Sequence, residues 1–322
     1  MKVLVTGSSG FVGKALVAEL EAGGHEVRGF SRVDRPGALR GDLLEPASLA
    51  AAFATFEPEL VYNLAGQTDL KGRPAHGYAA NVEGVANLLD ALEAAPSARR
   101  AVWASTQLVN VAGLPPRPVE QCRPGCDYGR SKAAAEALIR ERDGGGREWV
   151  IFRSTTVWGP GMSDHYAGIL RLIRRGRYAH IGRGKLRKSY SYVGNLAAQL
   201  ATLGTAPAEQ VHRRTFYLAD SDPVELRAWH ELFAAEFGRR LPTVPRAAAR
   251  LLALAGDAAA MLGVRSPITR KRLANMLTEY MHDTRPIEAI HGRTRISNEE
   301  GVRRTAAWLM RRDDKPDPEA SR

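Results

Sequence analysis

The 322-residue chain reads as an α/β protein, a doubly wound parallel sheet followed by a smaller, mostly helical C-terminal lobe. Two observations predict this. Through the first two hundred residues, short apolar runs rich in Val, Ile and Trp alternate with segments of helical apolar spacing. That rhythm belongs to βαβ units and a sheet covered on both faces. After about residue 156 it gives way to successive helical stretches. The length suits two domains of about 150 residues. The boundaries read as 1–155 and 156–312, with 190–204 packing back on the first domain and a polar tail, 313–322, expected to be disordered.

The elements follow in order. KVLVTG (2–7) is an apolar run closed by glycine, hence a strand, and FVGKALVAELEAGG after it has helical spacing. HEVRGFSR (25–32) is the next strand, and a helix starts near Pro46. ELVYNLAG (59–66), RRAVWAST (99–106) and WVIFRST (149–155) are further strands, separated by helices at about 76–95 and 127–142. In the lobe, helices near 164–176, 192–203 and 223–238 enclose one strand, TFYLAD (215–220). From Arg246 the chain reads as helical through AAARLLALAGDAAAMLG and TRKRLANMLTEY. Ser297 with Glu300 has the spacing of a capping box that opens a last helix to about Met310.

Composition narrows the function classes. With 44% apolar residues the chain can build a core, which excludes a disordered or fibrous protein. No apolar run approaches the roughly 18 residues that span a bilayer. MKVLVTGSSG passes straight into a strand and shows no secretory leader, so a soluble, cytoplasmic protein is expected with no membrane partner. Cys122 and Cys126 lack companions for a metal site, and no metal is expected. The net charge of +11 favours anionic partners. Its densest run, Arg171 to Lys188, holds eight Lys and Arg and no acid.

Between the first strand and helix, Gly7, Gly10 and Gly13 stand at G-x-x-G-x-x-G spacing. Gly7 permits a tight turn, Gly10 lets backbone N–H groups approach a pyrophosphate, and Gly13 lets helix and strand pack closely. The helix N-terminus then faces the phosphates. This is a Rossmann-type dinucleotide site, with Ser9, Phe11 and Val12 completing the loop and the first turn. An acid at the end of the second strand would read an NAD ribose. Here Ser31 and Arg32 suit a 2′-phosphate, with Asp34 two residues on, so NADP(H) is favoured over NAD(H). Asp42 and Leu43 fall where a loop passes the adenine.

Tyr128 and Lys132 stand four apart on one helix face. A tyrosine ionises near 10, too high for a base at neutral pH. A lysine ammonium one turn away lowers that value and makes the phenol a usable acid/base. Ser105 and Thr106, at a strand end about 20 residues earlier, supply a hydroxyl to orient the reacting oxygen.

Together TGSSGFVG, NLAG (63–66), the Ser-Thr pair, YGRSK and FRSTTVWGPG (152–161) resemble the extended short-chain dehydrogenase/reductase superfamily. The nearest branch is the NAD(P)-dependent epimerase/dehydratase family of nucleotide-sugar enzymes, over about residues 1–200 and more loosely to about 310. The resemblance implies that Tyr128 is the acid/base, that Lys132 holds the nicotinamide ribose, and that Thr106 bonds the reacting oxygen beside Ser105. It implies that Asn63, Leu64, Ala65, Gly66 and Asn81 line the cofactor, that Gln107 and Thr156 face the substrate, and that Arg187 meets a diphosphate. Helices 76–95 and 127–142 would pair two copies into a homodimer.

Departures from the family pattern are informative. Dehydratases carry Asp-Glu where Gln107-Leu108 stand, so elimination of water is disfavoured. Asn110-Val111 replaces the usual Tyr-Gly, and Thr156 and Trp158 replace an Asn and a Tyr. The expected activity is C4 epimerisation or 4-keto reduction of a nucleotide diphosphate sugar, with no nucleic-acid partner. Two alternatives stand beside it. One is a dehydrogenase of steroid-like or other hydroxyl or ketone substrates, which the apolar stretch 251–262 loosely resembles. The other is a non-catalytic NADP-binding regulator, or a nucleic-acid binder using the basic surface, disfavoured by the intact Ser/Thr, Tyr and Lys.

Overall fold

The computed structural model describes residues 1–69, 75–113, 118–261 and 269–313. Seven strands make one fully parallel sheet: β1 (Lys2–Thr6), β2 (Glu26–Ser31), β3 (Ala38–Arg40), β4 (Leu60–Asn63), β5 (Arg100–Thr106), β6 (Glu148–Ser154) and β7 (Arg214–Leu218). Their order is β7-β6-β5-β4-β1-β2-β3. The winding reverses between β1 and β4, where Thr6 lies beside Asn63. In sheets of this kind ligands bind outside the carboxyl ends of the strands at that reversal.

Residue alternation along each strand fills two cores. Leu4, Val61, Ala101, Trp103 and Ile151 point to one face, under α2 (Pro46–Phe56), α3 (Ala79–Ala94) and α4 (Asp127–Glu141). Val3, Val5, Tyr62, Val102, Val150 and Phe152 point to the other, under Leu16 and Leu20 of α1 (Phe11–Ala22) and Leu196, Leu200 and Leu203 of α5 (Val193–Thr205). Strands buried on both faces read as continuous apolar runs, which is why β1, β4, β5 and β6 stand out in the sequence.

The chain divides into two compact units. The first comprises Met1–Val157, Ser191–Ser221 and His282–Arg295. The second comprises Trp158–Tyr190, Asp222–Met281 and Ile296–Arg322. The sequence reading assigns 205–221 and 282–295 to the lobe, and here it is corrected. TFYLAD supplies β7, which pairs with β6 from Arg214↔Val150 to Leu218↔Ser154. Residues 282–295 carry α6 (Arg285–His291), whose Ile287 is buried in the core beneath α5. The three-residue β3 is too short to register as a strand in sequence.

The second unit is mostly helical, with helices at Asp164–Arg174, Leu226–Glu236, Arg246–Met261, Arg270–Leu277 and Asn298–Asp313. Trp158, Trp229 and Phe233 pack edge to face at its centre, with centroids 5.1 and 4.9 Å apart. Ser297 accepts a hydrogen bond from the Glu300 N–H at 3.3 Å, as its capping position requires. The expected tail lies outside the described residues from 314 onward. Among the described residues no helix is long and apolar enough to cross a membrane, and no cluster of His, Cys, Asp and Glu could hold a metal ion.

Candidate active site

The glycine turn opens at the reversal point of the sheet. Gly7 has φ +68°, and a Cβ there would come within 2.8 Å of the Ala65 nitrogen. A Cβ on Gly13 would lie 2.2 Å from the Gly7 carbonyl oxygen, so α1 packs this close to β1 only with glycine. The cap of α1 is Gly10, which offers no side-chain acceptor to the first-turn N–H groups. Ser9, Phe11 and Val12 surround them, half-buried. The turn and the uncapped helix end fit a pyrophosphate. Thr6 donates to Asn63 Oδ1 at 2.7 Å and accepts from the Ala65 N–H at 3.0 Å, which fixes Leu64, Ala65 and Gly66 beside the turn.

Two residues expected to line the cofactor also make bonds within the protein. The carboxamide of Asn81 is fully buried. It accepts from the Gln67 N–H at 2.8 Å, donates to the Gln67 carbonyl at 3.0 Å and donates to Ser131 Oγ at 2.9 Å. Ser131 in turn donates to the Tyr128 carbonyl at 2.8 Å. Asn81 therefore locks the 63–67 loop to α4. Asp42 Oδ1 accepts from the Leu44 N–H at 3.0 Å, which shapes its own loop. Leu43 is buried and packs beneath Gly84 of α3. At the end of β2, Ser31 Oγ accepts from the Val33 N–H at 3.1 Å, while Arg32 and Asp34 are exposed.

Tyr128 sits in the first turn of α4, buried, its ring 6.3 Å from that of Tyr78. Gly129 makes the approach possible, since a Cβ there would stand 2.2 Å from the Leu108 carbonyl oxygen. The start of α4 thus rests on the Gln107–Val109 turn that follows Thr106. Lys132 is buried and donates to the Ala104 carbonyl at 3.0 Å. Burial pulls its ammonium down to about 8 against the nearby Glu136 carboxylate. A Cβ on Gly66 would lie 3.3 Å from Lys132 Nζ, so the lysine reaches the loop beside the glycine turn.

The strand-end hydroxyls divide by alternation. Thr106 caps the 107–109 turn, accepting from the Leu108 N–H at 3.3 Å. Ser105 points to the α4 face and donates to Glu136 Oε1 at 2.5 Å. Ser105, expected to share the catalytic work, has its hydroxyl in a buried ion-pair network. In that network Arg153 meets both Glu136 oxygens, at 2.9 and 2.8 Å, with both side chains about 1% exposed. The guanidinium partners hold the carboxyl of Glu136 below its usual range although burial opposes this.

Gln107 and Thr156, both expected to face the substrate, lie together, with Gln107 Nε2 3.4 Å from Thr156 Oγ1. Sequence reasoning missed their third partner. His282 Nε2 lies 3.2 Å from Gln107 Oε1, and its ring stacks on Tyr217 with centroids 4.2 Å apart. Burial, with Arg153 near, pushes the imidazole down to about 4, so it is neutral at pH 7. Nothing local in MHDTR marks this histidine, whereas Glu136, one turn beyond Lys132, and Arg153, within the apolar run WVIFRST, carry a signal that sequence reasoning passed over: a charge inside a buried element. Arg187 lies in the second unit, exposed. Its backbone N–H donates to Glu279 Oε1 at 3.1 Å, and Glu225 stands opposite it in a two-stranded pair.

The model of the NAD dependent epimerase/dehydratase family matches residues 3–219. A 2-alkyl-3-oxoalkanoate reductase from Stenotrophomonas maltophilia is 28% identical over 95% of this chain and 99% of its own length. A 3-beta-hydroxysteroid dehydrogenase from Mycolicibacterium neoaurum is 27% identical over 78% of this chain and 74% of its own. Among solved structures, a UDP-glucose 4-epimerase from Thermotoga maritima, determined with UDP-glucose, superposes with a TM-score of 0.74 at 19% identity, over 98% of this chain and 100% of that one. With a family match across two thirds of its length and a dinucleotide cradle beside a Tyr-Lys pair, the chain belongs to the NAD dependent epimerase/dehydratase family and is an NAD(P)-dependent enzyme of the extended short-chain dehydrogenase/reductase type.

Proposed function

We propose that the protein is an NADP(H)-dependent oxidoreductase that interconverts a ketone and a secondary alcohol on a largely apolar substrate lacking a nucleotide. The observation that carries this reading is the end-to-end similarity to a reductase of 2-alkyl-3-oxoalkanoates.

The cofactor supplies or accepts the hydride when bound. The glycine turn, Ala65 and Gly66 would hold it, with Lys132 beside them. Thr106 orients the substrate oxygen by a hydrogen bond. Tyr128 then gives that oxygen a proton in reduction, or takes it in oxidation, with the Lys132 cation favouring the ionised phenol. Gln107, with its amide oriented between Thr156 and His282, faces the substituents of the reacting carbon. Neither Gln107 nor Leu108 can move a proton, which disfavours dehydration.

Purified enzyme should oxidise NADPH with 2-alkyl-3-keto acids and leave UDP-glucose unchanged. The second reading, a nucleotide-sugar epimerase or ketoreductase, has Arg187 and the nucleotide-sugar structural neighbour in its favour. Arg187→Ala separates the two. An apolar substrate predicts a KM within about twofold of the parent, whereas a diphosphate contact predicts an increase of tenfold or more, about 1.5–3 kcal/mol for a charge-assisted bond.

Cofactor choice has its own test. Arg32→Ala should weaken NADPH binding by about 1.5–3 kcal/mol and leave NADH nearly unchanged, as titration of cofactor fluorescence would measure. Equal losses for the two cofactors would transfer the role to Asp34.

A further inference from the structure

The excess positive charge of the protein is not shared between its units. The first unit holds 23 Lys and Arg against 22 Asp and Glu, and the second 23 against 13. Ten of the eleven excess charges therefore belong to the second unit, which has no part in the glycine turn or the Tyr128-Lys132 pair.

The same unit exposes an apolar ridge. In the Arg246–Met261 helix, Ala249 and Ala253 face inward and pack with Leu273, Ile181 and Leu277. On the outward side Leu251 is 68% exposed, Leu252 54% and Leu254 49%. Ala247, Leu251, Leu254 and Ala258, all exposed, follow one another at helical spacing along one stripe. A large apolar side chain left in water singly needs no explanation, but an aligned ridge of this kind marks a surface that meets something apolar.

The charges around the ridge say what that is. Arg246 and Arg250 are exposed at its N-terminal end. The side chain of Arg246 lies over the turn at Gly182 and Gly184, where a Cβ would come within 2.7 and 2.5 Å of it. Exposed Arg183 and Lys185 therefore join the same margin, held there by the pairing of Thr243–Val244 with His180–Ile181. The single carboxylate of the helix, Asp257, is paired with Arg270. The acid-free run noted in the sequence thus ends in a cationic collar on an apolar ridge.

We infer that this face of the second unit docks on an anionic lipid surface, with the leucines entering the headgroup boundary and the arginines and lysine meeting lipid phosphates. An amphipathic helix with leucines on one side and arginines at its margin lies in the plane of such an interface. Cationic residues near the surface add attraction to anionic lipids that salt screens. The inference does not depend on which ketone the active site takes.

Sedimentation of the full chain with vesicles of phosphatidylcholine alone, or mixed with phosphatidylglycerol, tests it. Binding to the mixed vesicles should exceed binding to neutral ones by about tenfold at low salt and fall as salt rises. Leu251→Glu with Leu254→Glu should abolish it while cofactor binding persists, which shows that the variant is folded. Arg246→Glu with Arg250→Glu should remove the preference for anionic lipid and leave the leucines intact. Leu251→Ser and Leu254→Ser, singly, should weaken binding in the same direction if the double glutamate variant does not fold. Absence of binding by the parent, or equal binding by the leucine variants, overturns the inference. So does a stable dimer that ignores vesicles and dissociates when the leucines are replaced, since a second copy then covers the ridge.

Discussion

Tyr128→Phe should lower turnover by two to four orders of magnitude, the range for losing a positioned acid/base, and leave cofactor affinity within about twofold of the parent. Only the phenolic oxygen is removed. The ring still packs near Tyr78, and Gly129 still seats α4 on the Leu108 carbonyl. Single-turnover consumption of NADPH measures the chemical step and cofactor fluorescence the binding. Residual activity above a tenth of the parent would remove Tyr128 from the mechanism. Lys132→Met should differ in kind and damage both quantities, because that side chain reaches the loop beside the glycine turn and, in the proposed mechanism, carries the charge that favours the ionised phenol.

Arg153→Met should destabilise the protein by about 3–5 kcal/mol at neutral pH, the cost of leaving a buried carboxylate without its principal partner. Arg140, 2.9 Å from Glu136 Oε2, still pairs with that carboxylate, which places the effect at the lower end of the range. The pH dependence has a definite sign. In the parent, Glu136 has a depressed pKa, so its contribution is present above the unfolded carboxylate value and is lost as pH falls through the folded one. In the variant the folded pKa rises, and stability recovers as the group protonates. The gap between the two proteins should therefore be widest near neutrality and narrow in acid, as urea unfolding at a series of pH values would record. A double variant with Glu136→Gln should regain much of the loss. An equally unstable double variant would show that packing, and not charge, governs the site.

The sequence exposed those parts of the fold and site whose physics is local. Gly7, Gly10 and Gly13 are close-approach positions at fixed spacing, and Tyr128 and Lys132 share one helix face, so both groups could be read without a fold. The parallel core strands were legible because burial on both faces leaves unbroken apolar runs. What escaped depends on distant pairing. TFYLAD looked like a lone strand in a helical lobe because nothing within it names β6 as its neighbour. Ser105 and Thr106 are adjacent and chemically alike, and only the direction of alternation in β5 sends one hydroxyl to Glu136 and the other to the 107–109 turn. His282 reaches Gln107 across 175 positions of sequence, a separation at which no pattern of spacing operates.

The placement of β7 bears on how the protein is made. During synthesis β6 leaves the ribosome some sixty residues ahead of the strand that covers its edge, since Val150 pairs with Arg214. In the interval a nascent six-stranded sheet presents the backbone groups of β6, and the apolar face of Val150 and Phe152 waits for Leu196, Leu200 and Leu203. An open strand edge beside uncovered apolar surface is the usual substrate of aggregation and of chaperones. Slowing translation between residues 160 and 190 would lengthen that exposure. Chains released between residues 190 and 213 should partition to the insoluble fraction, although each already contains the whole glycine turn and the Tyr128-Lys132 pair.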